Sequence, residues 1–572
     1  MKFRKEINFF EGVQTFINRL ILKDGDFKKL INMDDEPLGS LSGRLGYSEI
    51  TGSPVTTDGG VLGLHSYEYS GGAILLSTQN TVLGATSVIQ WDDDGTFTNI
   101  QAGLLANAKY DFCDFYDYCI GGGYNVDNTY LTTFSINDTT YSTTDMVRNA
   151  PSGKFYNEFQ GKVVITNCEV DGTRYASSAF VSSGLMGRVI PITNIKGNQS
   201  GAQTTITVDS TKYLKAGDVL DIYTGMTDTR ATGGDSMTIV SIDNETQFTI
   251  ASTTVTFLDG DQVFSEDLKG TDKIFWDVDS PSPNQINITG KGQEITGTHS
   301  NKARIIFFKN NSTTKWDGNK LSSVSGNIGC YSHRSVIEVD GITYWFYNKQ
   351  TGIYRYDGYN EPELISDPVR EYVEVMEDAW QDDVAVFVDK KGRIGWSIGE
   401  VEVNGRTYSN CEVVYNPKTQ NWRVYNKGDR AVIYIYHTGS GYQNNYYMGT
   451  NTGKIVREEA VDHDDNVTIA YEAESGWIGF EYPEAMKQID TIEVFSEYTG
   501  FSVSFSWDFG SRYYPLGDVN EQNVTFTLPA NNNEGKLFSY KVYGSAQTPK
   551  PTIEKIVIKG EYLDDTLEKP KV

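Results

Sequence analysis

Four segments in the second half of the chain repeat one plan. Each has an aromatic-rich strand, a turn of Lys, Asn, Thr or Gly, and a second strand opened by a large apolar residue. They occupy residues 305–316, 343–354, 412–423 and 446–456. Period-two alternation gives each strand one buried face, and the turn chemistry sets the register. A single hairpin of this kind is unstable in water. Several must therefore pack face to face, as in a propeller or sandwich. The hairpins recur at irregular intervals of roughly thirty-five to seventy residues, which describes a decorated repeat rather than a WD40 or kelch array.

The rest of the sequence agrees with an all-β reading. There are 36 Tyr, 27 Phe, 9 Trp and 56 Gly against 15 Pro. Aromatic residues suit a pleated, half-buried surface and glycine suits tight turns. Short apolar runs at 73–77, 88–91, 96–100, 115–120, 131–136 and 162–166 predict further strands. Residues 188–266 hold five or so alternating strands and predict an inserted small barrel or sandwich. Five more strands after 471 predict a closing β domain.

Two helices are expected. Phe27, Leu30 and Ile31 share one face at helical spacing, with Asp24 or Asp26 as a cap. Ser366 and Pro368 open a second helix whose Val369, Val373, Met376 and Trp380 form a stripe. The predicted organisation is an N-terminal arm at 1–48, a propeller-like body at 49–187 and 267–470, the inserted module at 188–266, and a C-terminal β domain at 471–572. The arm carries Phe9, Phe10, Leu20 and Leu22 ahead of any domain able to bury them. These four are candidate assembly contacts, against a partner or against the body.

The net charge of −27 repels nucleic acid and anionic lipid at long range. It leaves open a tube wall past which DNA slides without sticking. The five cysteines, at 113, 119, 168, 330 and 411, form no CxxC pair and read as small buried residues or free thiols. MKFRKEINFFEGV has no apolar run behind its basic residues, so no signal peptide is expected, and no stretch is long and apolar enough for a membrane helix.

Candidate chemistry is sparse. Residues 91–97 (WDDDGTF) resemble the Asp-box turn of sialidase-like propellers, and 461–466 (VDHDDN) could gather carboxylates for a divalent cation; both read better as polar loops. The five His make no HxH, HExxH or HxxxH pair, and no GxSxG or P-loop pattern occurs. Residues 121–124 (GGGY) are expected to form a turn, since no helix follows to bind an anion. With 76 acidic residues, a glycosidase pair cannot be singled out. Tyr344, Trp345, Tyr347, Tyr354 and Tyr356 could stack sugars but sit at strand spacing, as core residues do. No catalytic residue, metal ligand or cofactor is assigned.

Residues 9–13 (FFEGV), 22–25 (LKDG), 30–33 (LINM) and 39–47 (GSLSGRLGY) together resemble the N-terminus of bacteriophage tail hub and nozzle proteins, a group that includes the packaged-DNA stabilisation proteins of short-tailed phages. VDGITYW at 339–345 and TGIYRYDG at 351–358 are similar to a propeller blade of that group, and LKAGDV at 214–219 is similar to small β modules of tail proteins. The resemblance covers about half the chain. It implies a structural virion protein of the tail, made in the host cytoplasm without membrane insertion. Copies would form a ring, usually a hexamer, below the portal and adaptor. The ring would continue the channel for genomic DNA and retain and release the genome. The alternative is a glycan-binding or glycan-cleaving β-propeller, a virion depolymerase or adhesin; a bacterial surface adhesin is a third reading, disfavoured by the expected lack of a signal peptide.

Overall fold

The fold is taken from a computed structural model that describes residues 1–8, 10–15, 22–23, 25–35, 39–50, 59–81, 84, 86–92, 97–143, 147–148, 150–182, 192–212, 214–224, 231–265, 274–275, 285–290, 294–438, 445–458, 461–545 and 550–563. The described residues are nearly all β, with 61% in strands and 4% in helix. Strands follow one another as meanders of four, at 63–104, 109–142, 152–181 with 285–287, 295–325, 337–364 and 385–426. The next meander, at 431–458, takes its fourth strand from Tyr47–Glu49, which pairs antiparallel with Ile455–Glu458. With this early strand completing a late meander, the plan is propeller-like.

Each of the four repeated hairpins is a pair of adjacent strands in its sheet: Ile305–Lys309 with Ser312–Trp316, Ile342–Asn348 with Gly352–Tyr356, Arg406–Asn416 with Asn421–Asn426, and Asn445–Thr450 with Ile455–Glu458. Turn chemistry explains other tips. Asp171-Gly172, Asp340-Gly341 and Asn404-Gly405 all hold positive φ at both positions. That is the backbone of a two-residue type I′ turn, which Asp-Gly and Asn-Gly tolerate and bulkier residues resist.

The chain divides into two compact units, one of residues 1–111, 123–131 and 288–572, the other of 112–122 and 132–287. In the first unit the strands of the arm and of the C-terminal region share their sheets. Lys2–Ile7 runs antiparallel to Thr552–Tyr562, with Lys2 opposite Glu561 and Ile7 opposite Ile556. Phe27–Ile31 lies between Asn421–Asn426, to which it is parallel, and Ala470–Ser475, to which it is antiparallel. One nine-stranded sheet therefore runs from Ala385–Val388 to Tyr514–Val519. Its core joins Phe10, Val13 and Phe27 of the arm to Trp396, Trp422, Phe505 and Phe538.

The helix expected around Phe27 is a strand instead. Phe27, Leu30 and Ile31 are all buried because this strand sits inside a sheet covered on both faces. Lys28 and Lys29 find Glu474 and Glu472 across it. Alternation is thus erased, and helical spacing is left as the visible pattern. The second expected helix is present but short: a 3₁₀ turn at Asp367–Val369, an α-helix at Arg370–Glu374 and a 3₁₀ segment at Asp378–Asp383. Ser366 does not cap it; its hydroxyl accepts the amide of Ile353 instead.

In the second unit, Thr193–Asn194, Gln262–Ser265, Val219–Tyr223, Met237–Asn244, Gln247–Phe257 and Gln199–Thr207 follow one another in a sheet. A bridge between Ile195 and Val208 joins its two ends, making a small closed barrel. Ile206, Leu220, Ile222, Phe248, Val255 and Val263 fill its interior. A separate cluster packs Phe115, Ile120, Tyr156, Val163, Ile165 and Phe180. Gly121, Gly122 and Gly123 belong to the strand Tyr118–Tyr124 and not to a turn. A Cβ at Gly122 would meet the Tyr156 hydroxyl at 2.0 Å, so glycine is needed here for close approach rather than for chain reversal.

Candidate functional site

In the first unit, residues that precede or open the inner strands of several meanders converge. Arg334 lies on the 3₁₀ turn His333–Ser335. Its guanidinium donates to the carbonyl oxygens of Val432, at 3.1 Å, and Leu62. Asp383 ends the segment Asp378–Asp383 and accepts a bond from the Lys109 ammonium. Arg430 Nη2 stands 3.9 Å from the other Asp383 oxygen, and its guanidinium carbon lies 3.8 Å from the centre of the Trp380 ring. His333 Nδ1 accepts the Thr298 amide at 3.2 Å, while Nε2 faces Asp111 at 3.4 Å.

Burial alone would raise the Asp383 pKa, but Lys109, Arg430 and Arg334 outweigh it and hold the carboxyl below the usual range. Asp383 is therefore ionised at neutral pH, the opposite of what a glycosidase general acid needs. Burial lowers the pKa of Arg334 and Arg430, against the pull of Asp383. The arrangement can bind charge; it is not poised to move a proton.

A second pairing looks like a nucleophile and its base. Ser66 Oγ lies 2.8 Å from His437 Nδ1. Burial pushes the imidazole down to about 4, against the pull of Glu68, so it is neutral over the physiological range and a weak base. His437 is 1% exposed, and the pair ties Gly63–Tyr69 to Ala431–His437 through a partly buried hydrogen bond.

The arm is fastened by buried charge. Arg44 holds Asp464, Asn32 and the Asn426 carbonyl. Beside it, Lys427 meets Glu412 at 3.0 Å and Glu458 at 2.5 Å. Asp34 receives Arg393, Lys391 and Lys550. The carboxylates of 461–466 consequently diverge: Asp464 turns to Arg44, Asp465 to Lys454, and Asp462 to its neighbour His463. They do not converge on a cation.

Of the four arm residues singled out above, Phe10 is 1% exposed and packs on Phe27 at 6.1 Å between ring centres. Leu22 is half-buried and lines a cleft of about 370 Å³ with Lys23, Trp477, Phe480, Pro483 and Leu537. Phe9 and Leu20 lie outside the described residues, as does most of the 91–97 loop. Tyr344, Trp345, Tyr347 and Tyr356 are core residues, and Tyr354 packs beside them. All five cysteines are buried, and burial raises the thiols of Cys168, Cys330 (to about 12) and Cys411, which keeps them unreactive. The convergence around Asp383 was invisible in the sequence, since its members stand far apart in the chain and share no spacing.

No family model and no curated protein matches this chain. Among solved structures it is similar to an endosialidase of phage phi92 at 12% identity, covering 99% of this chain and 77% of that one, with a TM-score of 0.27. It is also similar to the AfRom2 CNH domain at 8% identity, covering 72% and 98%, with a TM-score of 0.29. A third likeness, at 9% identity with 78% and 95% covered and a TM-score of 0.19, is to an exo-β-1,3-galactanase of Phanerochaete chrysosporium. At these TM-scores no residue of their sites carries over. No helix among the described residues is long and apolar enough to cross a membrane.

Proposed function

We propose that this chain is a structural subunit of a bacteriophage tail, a hub or nozzle protein. In this reading copies form a ring below portal and adaptor, continue the DNA channel, and help retain and release the genome. The observation that supports it is the nine-stranded sheet. Because Phe27–Ile31 is hydrogen-bonded both to the 385–426 meander and to Ala470–Ser475, the meander and the C-terminal strands share one continuous sheet. The arm crosses from one to the other and is pinned by Arg44–Asp464 and Asp34–Arg393. A continuous join of this kind would suit a load-bearing particle component. Electron microscopy of the purified chain and of the phage particle tests this. Rings, and labelling of the tail by an antibody to the chain, are expected; a monomer absent from particles overturns the proposal.

A second reading, a glycan-binding or glycan-cleaving β-propeller on the virion, is favoured by one surface feature. Tyr436 is 41% exposed and its ring lies 4.8 Å from that of Tyr446. Paired aromatic faces of this kind stack on sugar rings. Binding to host capsular polysaccharide, lost in Tyr436→Ala, would favour this reading over the first.

A further inference from the structure

Arg430 stands out among the buried cations. Its side chain is 9% exposed, yet its Nε is a buried donor without an acceptor among the described residues. Its contacts are the face of Trp380, at 3.8 Å, and the 3.9 Å approach to Asp383, which is beyond hydrogen-bond reach. The other buried guanidiniums of this unit have an ion-pair partner within 3 Å: Arg44 has Asp464, Arg393 has Asp34 and Asp389, and Arg423 has Asp35, although Arg423 Nε also lacks an acceptor; the half-buried Arg334 donates to two carbonyl groups. A guanidinium carries five donors, and burying it without acceptors is costly. Trp380 Nε1, on the ring beneath it, is a second buried donor without an acceptor.

We propose that Arg430, with Trp380 and Lys109, forms a receiving site for a small oxyanion, a carboxylate or a phosphate. Trp380 covers one face of the guanidinium, so the edge is what remains for a ligand. That edge presents paired N–H groups in the plane that a carboxylate or phosphate matches with two bonds. Backbone contacts hold the residue in place: the Arg430 amide donates to Asn451 Oδ1 at 3.2 Å, and the Arg430 carbonyl accepts the Asn451 amide at 3.0 Å. Lys109 and Asp383, each about one-third exposed, form the rim. Asp383 is the opposing charge. It is already bonded to Lys109, and an incoming anion would compete with it for both cations. This site is independent of the ring proposal.

Calorimetric titration of the full chain tests the assignment, with inorganic phosphate and with glucuronate as separate arms. Chloride at matched ionic strength and neutral glucose serve as controls. At least one anion should bind saturably, phosphate alone indicating a free or esterified phosphate ligand and glucuronate alone an acidic sugar. Arg430→Met should lose binding by about tenfold or more, the effect of removing a charge-assisted pair of hydrogen bonds. Lys109→Met should weaken it less. Asp383→Asn should strengthen it, which a merely structural role for Arg430 does not require. Absence of saturable binding in the wild-type chain overturns the proposal. So does undiminished binding in Arg430→Met, or, if that variant does not fold, weaker binding in Asp383→Asn.

Discussion

Arg44 Nη1 donates to Asp464 Oδ1 at 2.9 Å and Nη2 to Asp464 Oδ2 at 2.5 Å, both side chains less than 5% exposed. The pair joins the arm to the short strand His463–Asp464, which pairs in parallel with Tyr47–Glu49. Removing one partner leaves the other charge buried and uncompensated. Arg44→Ala or Asp464→Ala should therefore cost about 3–5 kcal/mol. The double change to Met and Leu should recover most of that loss, because the desolvation penalty disappears with the pair. Chemical denaturation of the three variants measures it; equal losses in the single and double variants would show that the ion pair is not the origin of the effect.

Glu472 predicts the acid limb of stability. Burial raises its pKa, but bonds from Lys29 at 2.7 Å and Lys541 at 2.8 Å more than reverse this and bring it down to about 2. Arg406 reaches its second oxygen at 2.7 Å. A carboxyl with a depressed folded-state pKa contributes stability that is complete above its unfolded value, near 4.5, and is lost as pH falls toward 2. Glu472→Gln should lower stability at neutral pH by about 1–3 kcal/mol and flatten the profile between those values. Denaturant midpoints collected across that range test both effects.

How far these sites were legible depends on how local their causes are. The hairpins at 343–354 and 412–423 could be read directly because turn residues and alternation act within a dozen positions. Phe27–Ile31 could not, since its two buried faces depend on strands some four hundred residues away. Gly122 was misread for the same reason: its partner is the Tyr156 hydroxyl, not its neighbours. Arg430 and Trp380 meet through topology alone. In sequence each is an ordinary member of its class.

Lys487 gives a slope of the same sign at alkaline pH, but as a group that destabilises the fold. Its ammonium is fully buried, donates to the carbonyls of Ala485 at 2.8 Å and Lys536 at 2.7 Å, and faces the rings of Phe480 and Tyr562. Burial lowers its pKa to about 8, with Asp508 opposing and Lys536 assisting. Between about 8 and 10.5 the unfolded chain holds a proton that the folded chain does not. Stability should rise with pH through that window, and below it the penalty is present in full. Lys487→Met should raise stability at neutral pH by about 1–2 kcal/mol, less than the full penalty because two carbonyls lose their donor. A variant less stable than wild type at pH 7 would contradict this.

Deletion of residues 1–22 should damage folding as well as assembly. Ile7, Phe10 and Val13 are each at most 2% exposed, and Lys2–Ile7 pairs along six positions of Thr552–Tyr562. The burial of three apolar side chains is worth about 1.5–3 kcal/mol each. The truncated chain should melt at a lower temperature and expose the Thr552–Tyr562 edge to aggregation. Unchanged melting together with normal particles would show that the arm is dispensable.

The barrel within 192–265 should fold when separated from the rest of the chain. Its first and last strands are neighbours: Thr193 pairs with Val263 and Asn194 with Gln262, so the chain enters and leaves at one place. The Ile195–Val208 bridge joins the two end strands of its sheet, and among the described residues its apolar cluster draws on none outside this segment. A domain of this size buries a smaller fraction of its surface than a large one, which makes it marginal. Closure of the sheet works against that, because every strand then has two neighbours. The expressed segment should give dispersed amide signals and a cooperative melt, and the chain with the segment replaced by a short Gly/Ser linker should keep the melting transition of its first unit. Collapsed amide dispersion in the isolated segment, under conditions where the full chain is folded, would mean that the barrel depends on contacts its own core does not reveal.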